Sequence, residues 1–341
     1  MAMRYSGSKA NVGHAFREWE MKLSVVTTLF RSAPYIEEFC RRSGEAARLV
    51  AGDDYELVLV NDGSPDNSLE IARSIVETDP HTVLIDLSRN FGHHKAMMTG
   101  LAASSGDRVF LIDSDLEEEP EWLSDFQRRL EAEDADVVYG AQKNRRGGPL
   151  ERFAGWMFYR LFRFFAGIPQ PDNIVTARLM SRRYVDALLQ HRERELNIGG
   201  LWIVTGFKQC RQSVKKLDGS PTSYSLARKF SHLVNAVTSF SSMPLVFTFY
   251  AGLIISLSAL SYISYLVIRY LFIASPPDGY TSLIASIWLF SGLIIFFIGV
   301  QGIYTAKIFS EVKQRPYTIV RHVYRHPRAT QIEHDYGNDN P

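Results

Sequence analysis

Cysteine and unbalanced charge are both scarce in this 341-residue chain. The two cysteines, Cys40 and Cys210, lie far apart and outside any CxxC or Cys/His cluster. That argues against a disulfide framework or a structural zinc site and for a reducing compartment. With a net charge of +1 there is no global basic field to attract nucleic acid. The start of the chain has no charged segment followed by an apolar core, so no cleaved signal peptide is expected. Residues 1–20 are polar and aperiodic and read as a loose leader.

Charge is also missing locally. No charged residue occurs from Pro244 to Ile268, nor from Gly279 to Ala306, where only small or amide residues such as Ser291, Gly292 and Gln301 interrupt the apolar run. Each stretch exceeds the roughly 20 residues that cross a bilayer as a helix. Soluble helices rarely stay uncharged so long, so the reading as two buried core helices gives way to two membrane spans, about 244–270 and 280–306. Between them Ile273–Asp278 contains Pro276 and Pro277, which break a helix. Arg228 and Lys229 precede the first span, and Lys307, Lys313, Arg315, Arg321, Arg325 and Arg328 follow the second. The connecting loop carries only Asp278, with Arg269 at its edge, where it can snorkel. The positive flanks place both the N-terminal domain and a basic tail, 310–341, in the cytoplasm.

Before residue 226 the sequence alternates apolar β-branched runs with amphipathic stretches. Strands are expected at Leu23–Thr28, Glu56–Val60, Val83–Leu87, Val109–Ile112 and Val137–Gly140. Helices are expected at Tyr35–Leu49, Ser68–Glu77, Lys95–Ser104 and Glu121–Glu131, with Asp66 or Asn67 capping the second and Pro120 opening the fourth. This alternation predicts an α/β, mostly parallel, doubly wound sheet, which binds ligands beyond the carboxyl ends of its strands. Three polar motifs fall there: Asn61-Asp62-Gly63-Ser64-Pro65-Asp66, Ser88-Arg89-Asn90-Phe91-Gly92 and Asp113-Ser114-Asp115-Leu116-Glu117. Turns use Asp and Gly anyway. The third motif is different, because carboxylates one residue apart repel unless a cation intervenes, and hard oxygen ligands suit Mg²⁺ or Mn²⁺ held jointly with substrate phosphates. Glu118, Glu119 and Glu121 read as an acidic helix start.

In their order and spacing, Ser24-Val25-Val26, Val60-Asn61-Asp62-Gly63-Ser64, Leu87-Ser88-Arg89-Asn90-Phe91-Gly92 and Asp113-Ser114-Asp115 resemble family 2 glycosyltransferases of GT-A fold. With Arg178-Leu179-Met180-Ser181-Arg182, Gly206-Phe207-Lys208-Gln209, Ser223-Tyr224-Ser225, Ser239-Phe240-Ser241 and the expected hairpin, the chain looks like the bacterial polyprenyl-phosphate glycosyltransferases over residues 22–310. The resemblance implies an inner-membrane enzyme with a catalytic domain at 21–225, a nucleotide-sugar donor and a polyprenyl-phosphate acceptor at the lipid bilayer. It also allows a homo-oligomer. Asp113 and Asp115 would be catalytic and, with Glu117, would hold Mg²⁺ or Mn²⁺. Thr28, Phe30, Asp62, Ser88, Asn90, Lys95, Asp113 and Ser114 would bind the donor, Asp62 at its base. Transfer would invert the anomeric centre by direct displacement, and an anionic lipid phosphate needs no general base.

The acceptor side has support of its own. Lys143, Arg145, Arg146 and Arg152, together with Arg178, are candidates for the acceptor phosphate. Residues 150–168 interleave arginines with aromatics, as an interfacial helix does, and 226–242 reads as a juxtamembrane amphipathic helix. Lys215 and Lys216 are a second phosphate contact or a solvated strand end. The chain departs from the family at Thr28-Leu29-Phe30-Arg31-Ser32, where Pro-x-Tyr-Asn-Glu is common, and at Val175-Thr176-Ala177, where Gly-Asp-Phe is common. Glu117 stands where Gln is frequent, and the His93-His94 pair is distinctive. Two other functions stay open: transfer to a saccharide or lipid-linked glycan hydroxyl, with Asp172 or Glu195 as base, and an inactive scaffold.

Overall fold

A computed structural model describes residues 22–142, 173–193, 198–216, 243–272 and 279–327. The expected leader at 1–20, the interfacial helix at 150–168, the juxtamembrane helix at 226–242 and the acceptor candidates Lys143, Arg145, Arg146 and Arg152 lie outside the described residues, as do Asp172 and Glu195.

The chain runs β1 (Leu23–Leu29), α1 (Ile36–Ala51), β2 (Tyr55–Asn61), α2 (Ser68–Thr78), β3 (Thr82–Leu87), α3 (His93–Ala103), β4 (Arg108–Leu111), α4 (Trp122–Ala132) and β5 (Val137–Gln142). It continues with β6 (Ile174–Ser181), α5 (Arg182–Leu188), α6 (Ile198–Val204), β7 (Gln209–Val214), α7 (Met243–Phe272), α8 (Tyr280–Val312) and β8 (Val320–Arg325). All five expected strands and four expected helices of the N-terminal half form within a few residues of their predicted bounds. β1 is buried along its whole length, as a central strand covered on both faces must be. One apolar cluster joins its Leu23, Val25 and Leu29 to α1 and α4, and the other joins Val26 to α3 and α5. Gly100 lets α3 lie close on the sheet: a Cβ there would sit 2.6 Å from Val26 Cγ1 and 2.9 Å from Val60 Cγ2.

The strand order is β7-β5-β6-β4-β1-β2-β3-β8. β1 pairs in parallel with β2 and β4, β2 with β3, and β5 with β7. β6 runs antiparallel between β4 and β5, and β8 runs antiparallel along the outer edge of β3. The sheet is therefore mixed rather than mostly parallel. The two reversed strands are ones that strand-helix alternation does not anticipate, since each enters from a segment distant in sequence.

After β7 the chain forms two long helices. The 30 residues of α7 and the 33 of α8 would span about 45–50 Å at the helical rise of 1.5 Å per residue. Large apolar side chains such as Phe247, Phe249, Ile254, Ile294, Ile295 and Phe296 stand exposed along them, a surface that water does not tolerate at this extent. Among the described residues one segment, Leu289–Val312, is long and apolar enough to cross a membrane, and a shorter apolar stretch covers Met243–Ile255. Downstream of α8 the chain returns to the sheet. Thr318 Oγ1 meets Thr99 Oγ1 at 2.8 Å, and Arg73 lies over the Tyr324 ring at 4.9 Å.

Candidate active site

The carboxyl ends of β1, β2, β3 and β4 converge, because these four strands are parallel neighbours in register. At the end of β2 Asp62 is 2% exposed. Its carboxylate accepts from Phe91 N at 2.7 Å and Gly92 N at 3.0 Å, and its own amide donates to Leu29 O at 3.0 Å. Burial raises the Asp62 pKa above the ordinary range despite the two amide donors. Gly63 turns the chain at φ 58°, and a Cβ there would fall 2.4 Å from Asn90 N. The two loops thus touch backbone to backbone, leaving Ser88 half-buried and Asn90 exposed at the rim, with Arg89 stacked on Phe91 at 4.1 Å.

The end of β1 is held from three sides. Ser114 Oγ donates to Thr28 O at 3.0 Å and lies 3.0 Å from Ser32 Oγ. Arg31, in a left-handed conformation at φ 57°, donates its amide to Ser64 Oγ at 2.7 Å. Phe30 is left exposed beside it. Ser114 is therefore 5% exposed and shapes the loop from within.

Asp113 and Asp115 follow β4. His93, the first residue of α3, places Nδ1 2.9 Å from Thr28 Oγ1 and Nε2 3.3 Å from Asp113 Oδ1. Asp113 Oδ1 is sealed from solvent without a well-formed hydrogen bond. Burial opposes ionisation of Asp113, but His93, the Thr176 side chain and Lys216 outweigh it and hold the carboxyl below its usual range. Asp115 is exposed as a residue and accepts from Glu117 N at 3.0 Å; partial desolvation of its carboxyl, reinforced by the charges of Asp113 and Glu117, raises its pKa. Lys95 lies half-buried in the first turn of α3.

The acidic helix start expected at Glu118, Glu119 and Glu121 does not form as such. Glu118 is 0% exposed and turns inward, accepting from Thr176 N at 3.0 Å and Ala177 N at 2.7 Å. Burial, with Asp113 nearby, pushes its carboxyl up to about 7. Glu119 accepts from Trp122 Nε1, and Glu121 pairs with Arg42 across to α1. Long-range partners outcompete capping at Glu118 and Glu121, and the nearby Trp122 indole does so at Glu119. Lys216, just past β7, sits 3.0 Å from Glu117 and 3.6 Å from Glu118, so it is neither a solvated strand end nor remote from the acids. Arg178 is 1% exposed, donates to the carbonyls of Thr176 and Val175, and lies against the Trp202 ring. Its burial lowers its pKa to about 9, and its side chain is not presented at the crevice surface.

Thr28, Phe30, Asp62, Ser88, Asn90, Lys95, Asp113, Ser114, Asp115 and Glu117 thus lie at or just beyond four neighbouring strand ends. Among the described residues no three His, Cys, Asp or Glu side chains close into a cage for a metal. What is present, the Asp113 and Asp115 carboxylates one residue apart with Asp115 open to solvent, suits a cation that takes one or two carboxylates and completes its shell from phosphates and water. The sequence did not single out the inward turn of Glu118 or the bond of His93 to Thr28. Both depend on which loop folds over which.

Residues 24–189 match the family described as Glycosyl transferase family 2. A protein of Mycobacterium tuberculosis (strain CDC 1551 / Oshkosh) described as a glycosyltransferase is 49% identical over 304 residues, 89% of each chain. The SfII prophage-derived bactoprenol glucosyl transferase of Shigella flexneri is 32% identical over 315 residues, 89% of this chain and 99% of that one. Among solved structures, the mannosyltransferase PcManGT from Pyrobaculum calidifontis, in complex with GDP-Man and Mn²⁺, aligns over 87% of this chain and 88% of its own at 16% identity and a TM-score of 0.46.

Proposed function

The chain belongs to glycosyl transferase family 2, and from that premise we propose that it moves a hexose from a UDP-sugar to a polyprenyl phosphate at the cytoplasmic face of the inner membrane. The observation that carries this reading is one of placement. An acidic strand end that suits a metal and diphosphate stands on a domain whose chain runs into two long apolar helices and then back to the same sheet. The relationship to a bactoprenol glucosyl transferase along nearly the whole of that protein supports the lipid-phosphate acceptor.

In this reading the β2 and β3 loops take the nucleotide. Asp62 spends one lone pair of each oxygen on Phe91 N and Gly92 N, so each oxygen keeps a further acceptor site for a base N–H. Phe30 and Asn90 lie exposed at the rim for base and ribose. Asp113, Asp115 and Glu117 would hold Mg²⁺ or Mn²⁺ with the diphosphate. When bound, the metal supplies charge stabilisation for the departing nucleoside diphosphate. Lys95, at the N-terminal turn of α3, faces the same anion. The acceptor phosphate oxygen attacks the anomeric carbon as the sugar–diphosphate bond breaks, and no proton needs removing from it. A hydroxyl acceptor would need a carboxylate base. Glu118, the site carboxyl with proton affinity near neutrality, is sealed under Thr176, Ala177 and Lys216 and cannot reach an acceptor.

Because β8 pairs with β3, the chain between β7 and β8 must cross a membrane an even number of times, which favours two spans over one. The decisive experiment incubates membranes containing the enzyme with radiolabelled UDP-hexoses and extracts them into organic solvent. Acid-labile label in the lipid fraction is the expected result. Label confined to polymer or glycan would refute a lipid-phosphate acceptor.

A further inference from the structure

The segment that follows the two long helices reaches the loops assigned above to the nucleotide through one side chain, Arg321, and one backbone carbonyl, that of Ile319. Asp86 of β3 is 1% exposed. Its Oδ1 accepts from Asn61 Nδ2 at 2.8 Å, and its Oδ2 faces Arg321 Nη1 of β8 at 3.3 Å. The same guanidinium donates through Nη2 to Ser88 O at 2.6 Å, while Ser88 N donates to Ile319 O at 2.9 Å. Both backbone polar groups of Ser88 are thus held by the tail, at the point where pairing shifts register between Asp86 and Leu87. Asn61 and Ser88 are the last fixed points before the two loops that meet at Gly63 and Asn90 and are tied by Asp62 to Phe91 and Gly92.

We infer that Arg321 is a positioning residue for the nucleotide site: by bridging Asp86 and Ser88 it sets the spacing of the Asn61–Gly63 and Ser88–Gly92 loops, so that nucleotide binding depends on docking of the strand that returns from the membrane. The planar fork suits this bridge because it offers parallel N–H donors to two acceptors at once, which an ammonium on a flexible stem does not. Arg321 itself is more than half exposed, so its removal leaves the apolar core intact. The inference rests on the reading of Asp62 as the nucleotide contact.

The test uses the full-length enzyme in lipid nanodiscs, with calorimetric titration of UDP, GDP and TDP and steady-state kinetics for donor and acceptor. Arg321→Ala is expected to weaken binding of the nucleotide that the wild type selects by about tenfold, with kcat at saturating donor and the acceptor KM within about twofold, and Arg321→Lys to recover only part of the loss. Asp86→Asn combined with Arg321→Ala removes the buried charge while an amide oxygen still accepts from Asn61. This double variant should melt near the wild type yet bind nucleotide as weakly as Arg321→Ala. Unchanged nucleotide affinity in either variant would overturn the inference and leave the donor reading standing. So would a rise of both KM values together with a fall of kcat, in step with the melting temperature. Failure of the wild type to bind any of the three nucleotides would overturn the donor reading and the inference with it.

Discussion

Replacing Gly63 by alanine should cripple donor use far more than it weakens the fold. Two separable costs arise. Gly63 sits at φ 58°, where a residue with a Cβ loses about 1–2 kcal/mol. The added Cβ would also lie 2.4 Å from Asn90 N, 2.5 Å from the Arg89 carbonyl carbon and 3.0 Å from Arg89 Cα, all backbone atoms that no rotamer change can move. Reaching an ordinary contact of about 3.5 Å requires the 88–92 loop to withdraw by roughly 1 Å. That withdrawal stretches the bonds from Phe91 N and Gly92 N to Asp62, each worth about 1.5–3 kcal/mol because the acceptor is charged. Together these destabilise the protein by about 3–5 kcal/mol, or on the order of 10 °C in melting temperature. A displacement of about 1 Å in a positioning loop can cost on the order of a hundredfold in rate, and here it should appear in kcat/KM for the donor. Gly52→Ala is the control. Gly52 has φ 61° but nothing within 4 Å of its would-be Cβ, and it lies between α1 and β2, at the opposite end of the strands. It should lose about 1–3 kcal/mol of stability and no activity. If Gly63→Ala keeps the wild-type donor KM and melts like Gly52→Ala, the contact between the two loops does not organise the donor site.

Asp115→Ala should abolish transfer and weaken Mn²⁺ binding, measured by the loss of the free-ion electron paramagnetic signal on titration; retention of both refutes the metal assignment. Chelation of wild-type membranes should stop turnover, and Mg²⁺ or Mn²⁺ should restore it. Asp66 offers a pH test away from that centre. Burial opposes its ionisation, but the Ser64 and Ser68 hydroxyls and the Ala33 and Ser68 amides outweigh this and hold its pKa at about 2, below the ordinary 3.8. A depressed folded pKa gives stability that is complete above the unfolded value and disappears as the pH falls from there towards 2, a contribution on the order of 2 kcal/mol. Asp66→Asn should therefore lose melting temperature at pH 7 and show a flatter decline between pH 4 and 2. A parallel decline in the two proteins would show that the loop does not depend on that charge.

Much of the catalytic half could be read directly from residue patterns, because its information is local. Continuous apolar runs such as Val109–Leu111 mark strands buried on both faces, and the polar residues after them mark the carboxyl ends where a parallel sheet binds ligands. The reversed strands were hidden for the same reason. Ile174–Ser181 carries Arg178 within an otherwise apolar run, and its burial makes sense only once Trp202 and the carbonyls of Thr176 and Val175 are beside it. Val320–Arg325 mixes valine and tyrosine with arginine and histidine without strict alternation on an edge strand, so it reads as one more basic stretch of tail until β3 supplies its partner. Glu118 shows the limit most plainly. Acidic residues before a helix favour its N-terminus in isolation, but two unpaired amides at Thr176 and Ala177, 58 and 59 residues downstream, make a stronger claim on that carboxylate.

The edge strand also turns a question of hydrophobicity into one of geometry. By length and composition α8 holds a stretch that can cross a bilayer, whereas the apolar stretch measured in α7 is shorter. A single crossing would carry β8 to the far side of the membrane, yet β8 lies along β3 with Leu84 opposite Tyr324 and Ile85 opposite Val323. Breaking that pairing would expose five register positions and leave Asp86 without its Arg321 partner. On the proposed hairpin, α7 crosses as well as α8, and Ser275 lies on the side opposite the catalytic domain. With Cys210 replaced by serine and Cys40 buried, Ser275→Cys should react with a membrane-impermeant maleimide in intact cells, and Lys313→Cys should react only after lysis. Labelling of Lys313→Cys in intact cells would refute a hairpin, and so would protection of Ser275→Cys until lysis, because either result puts an odd number of crossings, or none, between two strands of one sheet.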